Sequence, residues 1–262
     1  MSHLKTYHRP QTIEAALELL NRPQVYTMPL AGGTFLNAAM PTEVEELVDL
    51  QSLHLTQITH VGDTLTLGAL VRLQELVELG DSSQSEPRLF HPITTQAISP
   101  LALLRQTALL EGPNTMRHAA TIGGVIVTGD NESELLAAML VCAAEVTIQK
   151  PAGSQTMPLA NLLAAPVVHL AGGLITSISL HLNGQAAHDR VARTPKDRPI
   201  VAAVARHDGA NHWLALCGIA PTPILLTLDQ LDNLTPPSDF RGSADYRLAM
   251  ARVLVGRINV SK

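Results

Sequence analysis

The chain has 262 residues, of which 46% are hydrophobic, 16% charged and 3% aromatic, and its formal net charge is -5. Few aromatic side chains and a negative net charge disfavour nucleic-acid binding, which needs stacking surfaces and a basic footprint. No apolar stretch reaches the roughly 20 residues of a membrane helix, and residues 1–10 contain no apolar signal core. We therefore expect a cytoplasmic protein with one large domain or two modest ones.

The first 56 residues are predicted to form a small β-α-β arrangement. Ile13, Ala16, Leu17 and Leu20 recur at helical spacing, and Thr12 is placed as the N-cap. Short strands are predicted over residues 29–34, running into a glycine turn, and over residues 47–50.

The pattern changes at about residue 64, where apolar and polar residues alternate as in a half-buried strand. Ser99 and Pro100 form a typical helix start, with the cap before a first-turn proline. The other elements expected before a turn at residues 153–154 are a helix over 71–79, a β-rich stretch over 121–128, a helix over 131–143 and a strand over 145–148.

A third region is expected after a domain boundary near residue 165. It has strands over residues 174–182 and 213–219, and loops over 195–199 and 234–242. Ser243 is placed as the cap of a last helix that ends at Gly256, and Tyr246, Met250 and Val253 share one face of that helix. The mixture of strands and helices predicts the α+β class.

Two double-glycine segments, Ala31-Gly32-Gly33-Thr34 and Thr121-Ile122-Gly123-Gly124, are the chemically informative motifs. Glycine permits positive φ and close approach, so successive amide groups can converge on an anion, and threonine hydroxyls add further donors. Two such loops could hold the two phosphates of a dinucleotide, although a Gly-Gly pair after a strand is more often an ordinary turn. Neither segment matches the Rossmann or the P-loop pattern.

Seven motifs along the chain carry a family resemblance. They are Tyr7-His8-Arg9-Pro10, Leu30-Ala31-Gly32-Gly33-Thr34, Leu47-Val48-Asp49-Leu50, Leu65-Thr66-Leu67-Gly68-Ala69, Met116-Arg117-His118-Ala119-Ala120-Thr121-Ile122-Gly123-Gly124, Ala143-Ala144-Glu145-Val146 and Ser243-Ala244-Asp245-Tyr246-Arg247. In this order they resemble the FAD-binding medium subunit of the xanthine dehydrogenase and carbon monoxide dehydrogenase family of molybdenum hydroxylases.

The resemblance implies a two-subdomain FAD-binding domain of the PCMH type over residues 1–165, divided into about 1–56 and 57–165. A smaller C-terminal α+β domain follows over residues 166–262. It also implies that FAD is the cofactor. The residues that the resemblance places against FAD are Leu30, Ala31, Gly32, Gly33, Thr34, Phe35, Leu36, Ala120, Thr121, Gly123, Gly124, Val125, Val127, Thr128, Glu134 and Leu170.

The same resemblance implies a hetero-oligomeric oxidoreductase. One partner subunit would carry two [2Fe–2S] clusters, and a large subunit would carry the molybdopterin cofactor. Electrons would pass from the clusters through FAD to an external acceptor, so no residue of this chain is assigned a catalytic role. The organic substrate would be bound by another chain.

Three residues have a structural alternative. Leu170 could lie against the isoalloxazine ring or pack in an ordinary core. Glu134 could touch the cofactor, or complete a capping box that starts at Asn131. Arg117 could pair with phosphate or cap the preceding helix.

Four positions depart from the family pattern. Val125 and His118 replace asparagines, Phe35 replaces an aspartate or serine, and Gly173 replaces a glutamate. Each lost hydrogen bond would cost about 0.5–1.5 kcal/mol, but the main-chain donors remain, which favours FAD binding. The departures leave open a scaffold subunit without FAD. A stand-alone flavin oxidoreductase is a further alternative, but it would need a catalytic acid or base that the sequence does not identify.

Other metal and redox sites receive little support. His207, Asp208 and His212 are predicted to form a polar turn between strands, with no metal. Cys142 and Cys217 lie in apolar runs, which is typical of buried thiols. Two cysteines cannot supply the roughly four thiolates of an iron–sulfur cluster.

Overall fold

Three β-sheets organise the chain, and each is built from one stretch of sequence. The computed structural model describes residues 4–80 and 97–258. Residues 81–96 of the expected second subdomain lie outside the described residues. The mixed helix-and-sheet content confirms the α+β prediction.

The first sheet has three parallel strands in the order β1-β3-β2. Its elements are β1 (Thr6–His8), α1 (Ile13–Leu20), β2 (Thr27–Leu30), α2 (Leu36–Ala39) and β3 (Glu46–Asp49). Thr12 caps α1 as predicted, because its side chain accepts the Ala15 amide at 3.2 Å. Ala16 and Leu17 pack with Val48 of the sheet and also with Leu70 and Leu174, so this layer is joined to the next.

The second sheet is antiparallel, with the order β4-β5-β8-β6-β7. Its strands are β4 (Ile58–Val61), β5 (Thr64–Gly68), β6 (Glu145–Lys150), β7 (Gly153–Pro158) and β8 (Leu174–His181). Seven helices occur in this stretch among the described residues: α3 (Leu73–Glu78), α4 (Pro100–Leu110), α5 (Asn114–Arg117), α6 (Ile122–Thr128), α7 (Glu134–Val141), α8 (Leu159–Ala164) and α9 (Pro166–Leu170). Helix α4 begins after its cap Ser99, as predicted.

The strand β8 bears on the domain boundary expected near residue 165. It pairs with β5 on one side and with β6 on the other, in the middle of the second sheet. A cut near residue 165 would separate this strand from both neighbours. We therefore propose that the boundary lies after His181.

Three predictions in this stretch differ from the structure, and one of them is the turn expected at residues 153–154, which lies at residues 151–152, ahead of β7. Residues 121–128, expected to be β-rich, include α6, because the Thr121 hydroxyl accepts the Gly124 amide and starts a helix. The expected helix over residues 131–143 is shorter, and its cap is Ser133 rather than Asn131. The reason is that the Asp130 side chain accepts the Glu132 amide and forms a turn ahead of the helix.

Helix α7 lies between the second and third layers. All eight of its residues are buried, and it contacts α4 as well as strands of the third sheet. A helix that is apolar on every side needs such a surrounding. The main hydrophobic cluster accordingly extends from Leu65 and Ile178 of the second sheet to Val204 and Ala215 of the third.

The third sheet is antiparallel, with the order β12-β11-β10-β9. Its elements are β9 (Gln185–Val191), β10 (Val201–His207), β11 (His212–Cys217) and β12 (Ile224–Leu226), followed by α10 (Ala244–Arg257). Ser243 caps α10 as predicted, and the helix continues one residue past Gly256. The inward face carries Arg247, Ala251 and Leu254. The face of Tyr246 and Val253 is exposed instead. Within the described residues, no helix combines the length and apolarity that a membrane crossing needs.

Candidate functional site

The first glycine loop, Ala31-Gly32-Gly33-Thr34, connects β2 to α2. Gly33 has a φ of +69°, a conformation that favours glycine. Among the residues that the structure describes, the backbone N–H groups of Gly32, Gly33 and Thr34 have no hydrogen-bond acceptor. These partly exposed groups form a run of three consecutive donors, which fits an anionic ligand.

The second glycine loop runs from Ala119 into the first turn of α6, and its amide groups, apart from that of Thr121, are already used. The Ile122 and Gly123 amides donate to the Val71 and Ala69 carbonyl oxygens at 2.9 and 2.8 Å. The Gly124 amide donates to the Thr121 hydroxyl at 3.1 Å. Gly123 is required here for packing, because a Cβ atom at this position would lie 2.9 Å from the Ala69 carbonyl oxygen.

The fold brings the two glycine loops into direct contact. A Cβ atom on Gly32 would lie 2.6 Å from the carbonyl carbon of Ala119 and closer still to its oxygen. Only glycine permits this approach of one backbone to the other. The expectation that two distant segments form one site is therefore supported by their geometry, although only the first loop offers a run of unused amides.

A cleft of about 320 Å³ lies where the loops meet. Its lining residues are Arg9, Ala31, Gly32, Gln51, Thr56, Leu70, Arg72, His118, Ala119 and Thr121. A second, polar cleft of about 340 Å³ shares Thr56, Arg72 and His118 with it. Seven of the ten lining residues were not among the predicted FAD contacts: Arg9, Gln51, Thr56, Leu70, Arg72, His118 and Ala119. Arg9 lies in the family motif Tyr7-His8-Arg9-Pro10, and Arg72 is a lone charge between Val71 and Leu73, which are the signals that could have found them.

Arg9 is held at the cleft by a buried carboxylate. Asp49 is 1% exposed, and its Oδ2 atom lies 3.4 Å from Arg9 Nε. Arg9 Nε also donates to Ser52 Oγ at 2.9 Å, and the Tyr7 hydroxyl donates to Asp49 Oδ2 at 2.5 Å. The hydrogen bond to Asp49 raises the pKa of Tyr7 because the phenol proton is shared with an anion.

The other predicted contact residues differ in exposure. Phe35 and Val127 are about half exposed, so both are available to a ligand. Thr128 is exposed and donates its hydroxyl to the Gly124 carbonyl at 2.8 Å. Leu30, Leu36, Ala120 and Val125 are partly buried. Leu170 ends α9, where it packs against the main hydrophobic cluster and is not fully buried.

Glu134 has extensive protein contacts of its own. It is 1% exposed, it pairs with His188, and its Oε1 atom lies 3.2 Å from Arg190 Nε. Both partners belong to β9, so Glu134 joins α7 to the third sheet. The capping-box alternative is wrong, because Ser133 is the cap: its hydroxyl accepts the Leu136 amide at 3.0 Å.

Of the two roles considered for Arg117, the structure shows the contact with the end of the preceding helix. Its Nη1 atom donates to the Gly112 carbonyl at 2.7 Å, just beyond the end of α4, and its Nε atom donates to Gln74 at 3.0 Å. Burial lowers the pKa of Arg117. The next residue, His118, is exposed and lines both clefts.

The departure at Gly173 also has a structural cause. A Cβ atom there would lie 2.8 Å from the Ile148 side chain and 3.1 Å from the Lys150 side chain. The glutamate usual in the family would therefore need a shift of β6. The neighbouring Gly172 accepts a hydrogen bond from Asn21, which fixes this loop against the end of α1.

The polar turn predicted around His207, Asp208 and His212 joins β10 to β11. His207 and His212 stack with ring centroids 5.8 Å apart at the β10–β11 turn, where Asp208 accepts the Asn211 amide. Across residues 4–80 and 97–258, no three His, Cys, Asp or Glu side chains are grouped as metal ligands would be. Cys142 and Cys217 are buried and free, and burial raises the pKa of Cys142 to about 12.

Comparisons with known proteins point to one family. Residues 2–180 match the family described as the FAD binding domain in molybdopterin dehydrogenase. The chain is 27% identical to the carbon monoxide dehydrogenase medium chain of Afipia carboxidovorans, over 96% of this chain and 94% of that protein. It is 28% identical, with the same coverage, to the uncharacterized protein YgfM of Escherichia coli K12.

A solved structure extends this likeness to the fold. Reconstituted CO dehydrogenase from Oligotropha carboxidovorans superposes with a TM-score of 0.77 at 26% identity, over 98% of this chain and 96% of that chain. The structural match thus includes the third sheet, which lies outside residues 2–180 that match the family. On these grounds the chain belongs to the family of FAD-binding domains of molybdopterin dehydrogenases.

Proposed function

We propose that this chain relays electrons through FAD, from iron–sulfur clusters of a partner subunit to an external acceptor. Family membership shows that the chain is an oxidoreductase subunit and that FAD is its cofactor. Bound flavin supplies one- and two-electron chemistry, while the protein binds, orients and tunes it.

The observation that carries this proposal is the first glycine loop, where three unused amides lie against the backbone of the second loop. Converging N–H groups bind phosphate oxygens well, because the donors are fixed before the ligand arrives. In our proposal this loop binds the pyrophosphate of FAD. The second loop fixes the first in place and contributes side chains and surface rather than a run of amides.

The proposed FAD contacts follow from this division. From the first loop they are Leu30, Ala31, Gly32, Gly33, Thr34, Phe35 and Leu36, and from the second loop and α6 they are Ala120, Thr121, Gly123, Gly124, Val125, Val127 and Thr128. We retain Leu170 as a contact to the ring system, because it is incompletely buried at the end of α9. We assign Glu134 a structural role, because His188 and Arg190 occupy its carboxylate.

The proposed assembly is hetero-oligomeric. The relative in Afipia carboxidovorans is named a medium chain, which supports a complex with chains of other sizes. We propose one partner with two [2Fe–2S] clusters and a larger partner with the molybdopterin cofactor. We further propose that the complex is cytoplasmic.

Titration of the purified full chain with FAD and with FMN tests the cofactor site. We expect FAD to bind at least about tenfold more tightly, because FMN lacks the second phosphate and one charge-assisted hydrogen bond is worth about 1.5–3 kcal/mol. Equal affinity for the two flavins would contradict the pyrophosphate assignment.

Electron relay needs a separate measurement on the assembled complex. Stopped-flow absorbance should show flavin reduction after cluster reduction when the complex receives its organic substrate. Reduction of the clusters without any change in the flavin absorbance would contradict the relay.

A scaffold subunit without FAD remains the second candidate. The observations in its favour are the used amides of the second loop and the absence of room for a glutamate at Gly173. The visible spectrum of the complex, purified with FAD in the buffers, separates the two candidates. A colourless medium subunit within an intact complex would favour the scaffold.

A further inference from the structure

The phosphates of FAD each carry a negative charge, and the second glycine loop does not supply a run of amides to bind them. The Ile122, Gly123 and Gly124 amides are all engaged within the protein. Charge at this end of the cleft must therefore come from side chains. Two arginines line the cleft in which the loops meet, Arg9 and Arg72.

Arg72 lies directly beside the second loop. It forms an isolated β-bridge with Thr121, and its own amide donates to Glu75 at 2.7 Å. Its side chain is exposed and lines both clefts. Among the arginines of the described ranges, it is the one whose guanidinium has no hydrogen bond, ion pair or ring contact. An unpaired guanidinium at a concave surface is suited to an oxyanion.

Arg9 lies beside the first loop, where it shares the cleft wall with Ala31 and Gly32. Its Nε atom is held by Ser52 and by the buried carboxylate of Asp49. Within the described residues, neither of its terminal nitrogens forms a hydrogen bond. An arginine fixed at Nε with both terminal nitrogens unused is oriented in advance for a bidentate contact.

We propose that Arg9 and Arg72 bind the phosphates of FAD, and that Asp49 is the residue that positions Arg9. This inference rests on the proposed function, and it deepens the assignment of the same site. It explains how a chain with a net charge of -5 attracts an anionic cofactor, since the two arginines supply local positive charge at the loops.

Flavin titration of single variants tests the assignment, with Arg9→Gln, Arg72→Gln and the control Arg252→Gln. Arg252 is an exposed arginine on α10 that pairs with Asp232, in the third layer. Loss of one charge-assisted phosphate contact should raise the FAD dissociation constant about 10- to 100-fold. The affinity should also depend less steeply on salt in both cleft variants, because an ion pair is lost. The control should match the wild type.

Two further measurements separate binding from folding. Circular dichroism and thermal melts report whether Arg9→Gln folds. If Arg9→Gln does not fold, Arg9→Lys replaces it in the titration, because lysine retains the positive charge. ADP, which carries a pyrophosphate without a flavin, should compete with FAD on the wild type and compete less well on Arg72→Gln.

The outcomes are distinguishable. Folded cleft variants that keep the wild-type FAD affinity and salt dependence would overturn the arginine assignment while leaving the proposed function intact. A wild-type chain that binds no FAD would contradict the proposed function instead. Weakened FAD binding with a reduced salt slope in both cleft variants would support both.

Discussion

The two glycine loops look alike in sequence and differ in what their backbones do. The first keeps three consecutive amides unused around Gly33, which has a positive φ. The second uses its amides to cap α6 and to bind the strand end at Ala69. Similar motifs thus serve different purposes: one presents donors to a ligand, and the other fixes the position of its neighbour.

Both glycine loops depend on the contact between them. Gly32 approaches the Ala119 carbonyl too closely for any side chain, and a Cβ atom on Gly123 would lie 2.9 Å from the Ala69 carbonyl oxygen. The second loop therefore fixes the position of the first. Substitutions in the two loops should separate into effects on binding and effects on stability.

The largest effect is expected for Gly32→Ala, which breaks the contact itself. The new methyl group would meet backbone atoms of Ala119 that cannot rotate away, so the unfolding free energy should fall by about 1–3 kcal/mol. FAD affinity should fall with it, at least about tenfold. Thermal melts and flavin titration measure the two effects.

Gly184→Ala is the control for a close backbone contact away from the loops, and it adds strain because Gly184 has a φ of +85°. It places a Cβ atom against the His207 backbone, an equally close approach in the third layer. It should destabilise the protein and leave the FAD affinity of the folded fraction unchanged. A Gly32→Ala chain with wild-type FAD affinity would show that the loop contact is irrelevant to binding.

Gly33→Ala should mainly change binding. The φ of +69° would cost an alanine roughly 1–2 kcal/mol, and relief of that strain would turn the unused amides away from the ligand. We expect about tenfold weaker FAD binding in titration. Gly62→Ala carries similar strain, at φ +59° in the β4–β5 turn, with open space around it. It should therefore lower stability without changing FAD affinity.

The two threonines give a sharper comparison. Thr121 is buried and its hydroxyl caps α6, so Thr121→Ala should lower the unfolding free energy by about 1 kcal/mol. The Thr34 hydroxyl has no partner among the described residues, so Thr34→Ala should leave the melting temperature unchanged and weaken FAD binding by about 2- to 10-fold. The reverse pattern in melts and titrations would contradict the division between the loops.

Val125→Asn should have the smallest effect. Val125 is partly buried on α6 and packs against the main hydrophobic cluster. Asparagine would restore a polar side chain at a position where the family usually has one, and one neutral hydrogen bond is worth about 0.5–1.5 kcal/mol. We expect FAD binding to become up to about tenfold tighter, with a slightly lower melting temperature. Weaker binding would show that this side chain does not reach the cofactor.

Local signals in the sequence determined much of the fold. The caps Thr12, Ser99 and Ser243 begin the helices that the sequence predicted, because a cap needs only its own next three residues. Family motifs in order along the chain identified the family and its cofactor. Periodicity alone could not assign residues 121–128: their β-branched run suggested a strand, whereas the Thr121 cap and the contacts to Ala69 and Val71 make a helix.

Only the tertiary structure decided how the loops are used. Whether an amide is free depends on which carbonyl group lies opposite it, and the partners of Ile122 and Gly123 are about 50 residues away in sequence. The same holds for Glu134, whose carboxylate is occupied by β9, and for the outward face of α10. It also holds for Arg9 and Arg72, which share one cleft because two layers meet there. The sequence by itself determined which segments bear donors and charges, since these are properties of residue types. The fold determined which of those groups remain available to a ligand, since hydrogen-bond partners are chosen by proximity in space.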